Sequence, residues 1–284
     1  MLTRRNFLKS SAAALSIAAL EGQRALAASR LPLGVQLYTV RGLTTHDLPG
    51  VLKQIRAIGY DEVEAFGSMY ARPASDLLHT VQDAGLRLPS GHFDYDDIPS
   101  KIDYAKQLGL QWIVCPMLPS QLGASAEGFS TAAKQFNVWG KRAKEQGMRL
   151  AFHNHDYEFK NFDGRTGYDV LIDQTDPDLV FFEMDCYWIA QAGKDPVTMM
   201  NRLGHRLRLL HLKDRKPGFP PSNDMGPSSS HFAPVGQGSI DWKSVLDAAQ
   251  RLHIEHYFVE QDDTYGHPIE SIRASYQYLR PRLP

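Results

Sequence analysis

Hydrophobic runs of strand length alternate with longer amphipathic stretches eight times along this chain of 284 residues. The runs cover residues 33–40, 62–66, 86–93, 112–118, 150–155, 179–185, 207–213 and 254–261. Between them, apolar residues recur with i, i+3, i+4 spacing, which is typical of helices that bury one face. Several stretches end in the residue that commonly follows a helix C-terminus: Gly59, Gly85, Gly109 and Gly147. Eight strand–helix units in about 250 residues predict a single-domain α/β protein, a (β/α)8 TIM barrel.

A doubly wound parallel sheet is the main alternative architecture. It is disfavoured because no G-x-G-x-x-G motif follows the first strand-length run. The main irregularity is the segment from Pro217 to Ser239, which is rich in Pro, Ser and Gly. A loop of that length in a compact domain is usually a functional lid or a disordered segment.

The first 27 residues have the pattern of an export signal. They contain the pair Arg4-Arg5, an apolar run from Ser10 to Leu20, and the small-x-small sequence Ala25-Leu26-Ala27. The paired arginines followed by Phe-Leu-Lys resemble a twin-arginine (Tat) signal. The apolar run is too short to span a bilayer. We therefore expect residues 28–284 to be the mature chain, periplasmic or otherwise exported, without a membrane anchor.

Composition narrows the class of partner. The chain has 31 Lys and Arg against 32 Asp and Glu, a formal net charge of −1. Duplex-binding proteins usually carry a basic excess, so nucleic acid is disfavoured as the partner. The two cysteines, Cys115 and Cys186, are too few for a disulfide scaffold or a cysteine-type zinc site. The oligomeric state stays open, and a homo-oligomer is compatible with the sequence.

Ionisable residues lie at the ends of six of the eight predicted strands. In a TIM barrel, such residues meet at one mouth, where the catalytic groups of this fold are found. The residues concerned are Glu64, His92, His153, His155, Glu158, Glu183, Asp185, His211, Lys213, Glu260 and Asp262. Burying so many charges together is costly unless they are paired, and a divalent cation pairs carboxylates well. Mixed oxygen and nitrogen ligands suit Mn, Co, Zn or Fe.

Six stretches of the chain resemble the xylose isomerase-like TIM barrels, the sugar phosphate isomerase/epimerase superfamily. They are Val63-Glu64, the His-Asn-His-x-x-Glu-Phe sequence at 153–159, Met184-Asp185, residues 211–214, residues 236–242 and Val259-Glu260. The resemblance implies one divalent ion, with Mn favoured, bound by Asp185, His211, Glu260 and a residue of the fifth strand. The family has Glu there, whereas this chain offers His153 and His155. We expect His155 to be the ligand and His153 to be the catalytic base.

Three other residues near the predicted mouth have two interpretations each, and His92 has one. Glu158 is either a catalytic or substrate-binding acid or the cap of the following helix. Lys213 either stabilises an enolate oxygen during catalysis or pairs with Glu183. Glu64 either orients a substrate hydroxyl or holds a neighbouring basic group, and His92 is expected to contact substrate.

Two further positions carry single expectations. Trp188 stands where many isomerases of this superfamily have His. It is expected to stack on a sugar, and because it has no acid–base function it argues against an isomerase mechanism that uses two bases. Asp214-Arg215 is expected to be an exposed ion pair.

The resemblance implies a metal-dependent isomerase or epimerase that removes a proton beside a carbonyl. Expected export, and the absence of a Gly-rich phosphate-binding sequence after the last two strands, favour a small-molecule carbohydrate without phosphate: a sugar, keto-sugar or cyclitol. Expulsion of a β-substituent at the same site, as in a keto-glycoside lyase or dehydratase, is the alternative reaction. An exported sugar-binding barrel is the non-enzymatic alternative. A nuclease related to endonuclease IV is disfavoured because it needs more metal ligands.

The export signal makes a testable prediction. Replacing Arg4 and Arg5 together with Lys should trap the precursor in the cytoplasm, because the arginine pair carries the Tat resemblance. Cell fractionation and immunoblotting would measure the two forms. Normal export of this variant would contradict the assignment.

Overall fold

The computed structural model describes residues 31–226 and 230–283. The predicted export signal, residues 1–27, lies outside the described residues. Residues 32–282 form one compact unit. Within the described ranges, none of the helices is long and apolar enough to cross a membrane.

Eight parallel strands close into a barrel, so the predicted (β/α)8 fold is confirmed and the doubly wound alternative is wrong. The strands are β1 (Gly34–Gln36), β2 (Glu62–Ala65), β3 (Arg87–His92), β4 (Trp112–Cys115), β5 (Arg149–His153), β6 (Val180–Asp185), β7 (Leu207–Leu212) and β8 (His256–Val259). They follow one another in chain order around the barrel. β8 closes it against β1, with Gly34 paired to Phe258 and Val35 to Val259.

Helices connect the strands around the outside of the barrel. They are α1 (Arg41–Ile58), α2 (Ala74–Asp83), α3 (Ile98–Gln107), α4 (Ala126–Glu145), α5 (Gly167–Gln174), α6 (Cys186–Gln191), α7 (Pro196–Leu203), α8 (Trp242–Leu252) and α9 (Pro268–Leu279). The four glycines predicted to end helices all have positive φ. Gly59 also has no room for a side chain, since a Cβ there would meet the hydroxyl of Tyr276.

The barrel interior is apolar in the middle and polar above and below. An apolar cluster of Trp112, Val114, Ala151, Leu209 and Phe258 fills the middle. Full burial of each large side chain contributes about 1.5–3 kcal/mol. Along β8 the inward residues are His256, Phe258 and Glu260, because side chains alternate across a strand. Phe258 therefore separates the buried pair Glu62 and His256, at the amino-terminal end of the barrel, from the candidate site at the carboxyl-terminal end.

Asp214 and Arg215 are buried, so their prediction as an exposed ion pair is wrong. The Asp214 carboxylate accepts N–H groups from Gly236 at 2.9 Å, Gly238 at 3.0 Å, Ile240 at 3.2 Å and the Trp242 indole at 2.7 Å. The end of the 217–239 segment and the residues directly after it cover this carboxylate, and no local sequence signal shows that.

Arg215 holds the other end of the same segment. Its guanidinium donates to the carbonyls of Phe219 and Pro220 and to the side-chain oxygen of Gln191. Asp214-Arg215 also pairs, antiparallel, with Phe232-Ala233. Both ends of the 217–239 segment are therefore fixed to the chain that follows β7.

Asp214→Ala should destabilise the protein by at least about 3 kcal/mol, because it leaves five N–H donors, the four above and the backbone N–H of Arg215, without their acceptor. Proteolysis within residues 217–239 should also become faster. Urea unfolding and limited digestion with a protease of broad specificity, such as proteinase K, measure the two effects, because the segment has no Lys or Arg at which trypsin could cleave.

Asp241→Ala is the matched control for this variant. The Asp241 side chain caps α8 by accepting from the Ser244 N–H, and its loss should cost about 1 kcal/mol. Equal losses in the two variants would show that Asp214 does not anchor the segment.

Candidate active site

Four buried side chains from four successive strands converge at the barrel mouth. This upper cluster consists of His153, Asp185, His211 and Glu260, and each offers one ligand atom within 4.8 Å of the others. Asp185 Oδ2 lies 3.9 Å from both His153 Nε2 and His211 Nδ1. Glu260 Oε2 lies 3.0 Å from His211 Nδ1. Two carboxylates and two imidazoles form a donor set that suits a divalent transition ion.

Asp185 Oδ2 supports this interpretation. It is buried and makes no hydrogen bond, although Lys213 Nζ lies 3.0 Å away in an ion pair. A buried carboxylate oxygen without a hydrogen bond is costly unless another group satisfies it. The residues present therefore fit a cation.

A second layer of polar side chains lies directly against the upper cluster. This inner layer consists of Gln36, Glu64, Ser90, His92 and Glu183, all buried. Glu183 Oε2 is 2.7 Å from His92 Nε2, 3.0 Å from His153 Nδ1 and 3.1 Å from His211 Nε2. Glu64 Oε2 is 2.7 Å from His211 Nε2. The two inner carboxylates thus contact the two histidines of the upper cluster.

His153, and not His155, joins the other three expected ligands. β5 ends at His153, so the alternation that would aim His155 into the barrel stops before it. His155 lies beside the upper cluster, with its ring centre 5.1 Å from the rings of both His153 and Trp188. Its Nδ1 is buried and makes no hydrogen bond. Burial, followed by the charge of Lys213, lowers the pKa of His155 to about 3, so its imidazole is neutral.

Lys213 contacts three carboxylates of the mouth, and Glu183 is not among them. Its Nζ lies 3.0 Å from Asp185, 2.7 Å from Glu260 and 2.7 Å from Asp262. Burial alone would lower the pKa of Lys213, but these carboxylates raise it well above the usual value. Lys213 is therefore a fixed cation at the mouth.

Glu158 belongs to a 3₁₀ turn, Tyr157–Phe159, and does not cap the following helix. Thr166 provides that cap for α5. Glu158 Oε2 accepts the backbone N–H of His155 at 3.0 Å, while its Oε1 is buried without a hydrogen bond. Burial raises the pKa of Glu158 to about 8, so it holds a proton at neutral pH.

Trp188 lies on α6, packed against Tyr187 and Phe232 at the mouth. Its indole Nε1 is buried and makes no hydrogen bond. The ring adjoins His155, so the side chain lies where a substrate near the upper cluster would meet an aromatic face and one N–H donor.

Glu64 and His92 lie in the inner layer, where their expected contact with substrate has no geometric support. Glu64 is fully buried, and its oxygens already accept from Ser90, Gln36 and a histidine. Its second interpretation, holding a neighbouring basic group, agrees with this geometry. His92 Nε2 is shared between Glu183 at 2.7 Å and Glu64 at 3.2 Å.

The sequence placed Glu183 among the strand-end residues of the predicted mouth, but suggested no role for it beyond pairing with Lys213. Glu183 stands two residues before Asp185 on β6, so both side chains point into the barrel. That spacing was the available signal for Glu183. Gln36 and Ser90 gave no comparable signal, because neither is ionisable.

Residues 52–282 match the sequence family described as xylose isomerase-like TIM barrels. The chain belongs to this family. The resemblance noted from the strand-end residues is thereby confirmed for the barrel, and it does not extend to the export signal.

Relatives and solved structures of this family are enzymes by name. The chain is 28% identical to the inosose dehydratase of Lacticaseibacillus casei over 285 residues, covering 84% of this chain and 93% of that protein. Its match to the inosose dehydratase of Clostridium tetani is 26% identical and spans only 55% of that protein. A sugar phosphate isomerase/epimerase from Parabacteroides distasonis superposes with a TM-score of 0.75 at 26% identity, over 89% of this chain and 96% of that one. An enzyme of the isomerase, epimerase or related lyase type, as predicted, agrees with these similarities.

The buried Glu158 carboxyl predicts a pH effect on stability. Between about pH 4.5 and pH 8 the folded protein keeps a proton on Glu158 that the unfolded chain releases, so stability falls as the pH rises through this window. Glu158→Gln removes this penalty. The unfolding free energy of the variant, relative to the unmodified chain, should rise from about pH 5 to about pH 8 in urea titrations of chelator-treated protein.

Glu255→Gln is the control for this pH effect. Burial raises the pKa of Glu255, but Arg149 and Arg208 lower it below the usual value overall. Above about pH 5.5 Glu255 is therefore ionised in both the folded and the unfolded state, and its replacement should give a difference that does not depend on pH from there to pH 8. A pH-independent difference for Glu158→Gln as well would refute the raised pKa.

Proposed function

We propose that this protein is a metal-dependent enzyme that removes the proton beside the carbonyl of a non-phosphorylated polyhydroxy ketone, such as an inosose or a keto-sugar. The outcome we favour is elimination of a β-hydroxyl group, a dehydratase reaction. The observation that supports this proposal most is the upper cluster of two carboxylates and two imidazoles, with the neutral imidazole of His155 beside it.

The metal ligands in this proposal are Asp185, Glu260, His211 and His153. Mn is favoured among the divalent ions that accept this mixed set. When bound, such an ion polarises a substrate carbonyl as a Lewis acid. The expected roles of the two strand-5 histidines are therefore exchanged: His153 binds the ion and His155 is the base.

We take His155 as the base and Glu158 as the acid, because the His155 imidazole lies beside the upper cluster and is unprotonated, while Glu158 holds a proton. His155 is unprotonated and accepts the carbon-bound proton, whereas Glu158 is protonated and donates to the departing hydroxyl. The Lys213 ammonium balances the negative charge that develops on the substrate oxygen. His155 and Glu158 are three residues apart, and the Glu158 carboxyl accepts the backbone N–H of His155. A base and an acid held together in this way suit elimination, which removes a proton and a hydroxyl group from neighbouring carbons.

Two observations weigh on the choice between elimination and epimerisation. Epimerisation needs a second base on the opposite face of the substrate, and Trp188 has no group that can serve as one. A curated relative that matches over 84% of this chain and 93% of its own length is named inosose dehydratase. Isomerisation or epimerisation, which share the first proton transfer, stay as the second candidate because of the Parabacteroides structure.

Export by the Tat route remains part of the proposal, because of the Arg4-Arg5 pair, the apolar run that follows it and the Ala25-Leu26-Ala27 sequence. An exported enzyme that folds in the cytoplasm can acquire Mn before it meets competing Zn or Cu. It also meets few phosphorylated sugars, which supports a substrate without phosphate.

His153→Ala and His155→Ala test the proposed roles. His153→Ala should lose most of the metal, because a ligand contributes binding free energy. His155→Ala should keep the metal and lose about 10²–10⁴-fold in turnover, because a base acts only in proton transfer. Elemental analysis, and enone absorbance with an inosose as substrate, measure the two properties.

The two variants are controls for each other. Loss of metal in His155→Ala with retention in His153→Ala would contradict the exchange. Solvent deuterium entering an unchanged or epimerised ketone, without enone, would replace elimination by the second candidate. Absence of both reactions would favour a sugar-binding barrel.

A further inference from the structure

We infer that Glu183 and Glu64 are positioning residues that decide which nitrogen of His153 and of His211 faces the metal. This inference rests on the proposed function, because it takes the upper cluster as the metal site. Nothing in the strand geometry alone fixes which nitrogen of a buried imidazole carries the hydrogen.

His153 is oriented by Glu183. Its Nδ1 lies 3.0 Å from Glu183 Oε2, and its Nε2 faces Asp185 Oδ2. A neutral imidazole has one N–H donor and one lone pair on its two nitrogens. A carboxylate at Nδ1 fixes the hydrogen there and leaves the Nε2 lone pair aimed at the upper cluster.

His211 is oriented the opposite way, and both inner carboxylates take part. Its Nε2 lies 2.7 Å from Glu64 Oε2 and 3.1 Å from Glu183 Oε2. Its Nδ1 faces Glu260 Oε2 at 3.0 Å. The two histidines therefore need different tautomers to bind one ion, and the inner carboxylates supply an acceptor on the correct side of each ring.

The inner layer holds these carboxylates in place. Gln36 Nε2 donates to Glu64 Oε2 at 2.8 Å, and Ser90 Oγ donates to Glu64 Oε1 at 2.5 Å. His92 bridges Glu64 and Glu183, and its ring lies parallel to His211 with centres 5.2 Å apart. Carboxylates fixed in this way also raise the basicity of the imidazoles they contact, which strengthens metal binding.

The same strand offers a matched pair outside the site. Glu62, two residues before Glu64 on β2, lies 2.7 Å from His256 Nδ1 and is equally buried. This pair lies below Phe258, and neither residue belongs to the candidate metal clusters found in the described part of the chain. Glu62→Gln therefore removes the charge from a buried carboxylate that contacts His256 and Arg87, without disturbing a metal-binding histidine.

The experiment compares Glu183→Gln and Glu64→Gln with Glu62→Gln. Dissociation constants for Mn²⁺ alone are measured by titration calorimetry on protein that urea unfolding shows to be folded. The visible absorption of bound Co²⁺ reports ligand geometry. We expect the first two variants to bind Mn²⁺ about 10–100-fold more weakly, with an altered Co²⁺ spectrum. Glu62→Gln should keep the original affinity and spectrum.

The result that overturns the inference is unchanged affinity and spectrum in both Glu183→Gln and Glu64→Gln. Equal weakening in Glu62→Gln would also overturn it, because the effect would then be general destabilisation. If Glu183→Gln does not fold, the Mn²⁺ affinity and Co²⁺ spectrum of Glu64→Gln decide the test, because Glu64 contacts the metal-binding His211. Asp185→Ala distinguishes failure of this inference from failure of the proposed function. If Asp185→Ala still binds Mn²⁺ fully, the upper cluster is not the metal site and the proposed function fails as well.

Discussion

The closed barrel places charged side chains from neighbouring strands in one small interior, and their mutual compensation underlies the rest of the site. Glu64, Glu183, Asp185 and Glu260 are all buried near the mouth. Each has a histidine or lysine nitrogen within 3.0 Å. Removing one partner from such a pair costs about 3–5 kcal/mol, because a buried charge is left uncompensated. The site therefore acts as one electrostatic unit.

The charged groups of this site are arranged in layers along the barrel axis. Phe258 and its apolar neighbours seal it from the Glu62–His256 pair below. Above the apolar cluster, the inner layer holds the histidines, and the histidines reach the upper cluster. His155, Lys213 and Trp188 then surround the mouth. Strand alternation explains the order: Glu62 and Glu64, Glu183 and Asp185, and His211 and Lys213 are each two residues apart and point inward at successive depths.

The barrel was predictable because the alternation of strands and helices recurs along the chain. The position of Asp185, His211 and Glu260 at strand ends placed them at its mouth, and the family resemblance singled them out as ligands. Sequence analysis favoured His155 as the ligand, whereas His153 is the histidine that lies in the upper cluster. The hydrophobic run continues to 155 while β5 ends at His153, and only the structure shows where the backbone leaves the barrel. The burial of Asp214 was missed for a related reason: its partners, Gly236 to Trp242, come back to it from beyond a long loop.

The position of a bound ion tests the account most directly. Anomalous diffraction at the Mn absorption edge, on crystals of the protein loaded with Mn²⁺, would locate it. The account predicts one peak at bonding distance from Asp185, Glu260, His153 Nε2 and His211 Nδ1. A peak among His92, His153 Nδ1, His211 Nε2 and Glu183, the other buried cluster with metal-ligand spacing in the described ranges, would contradict it.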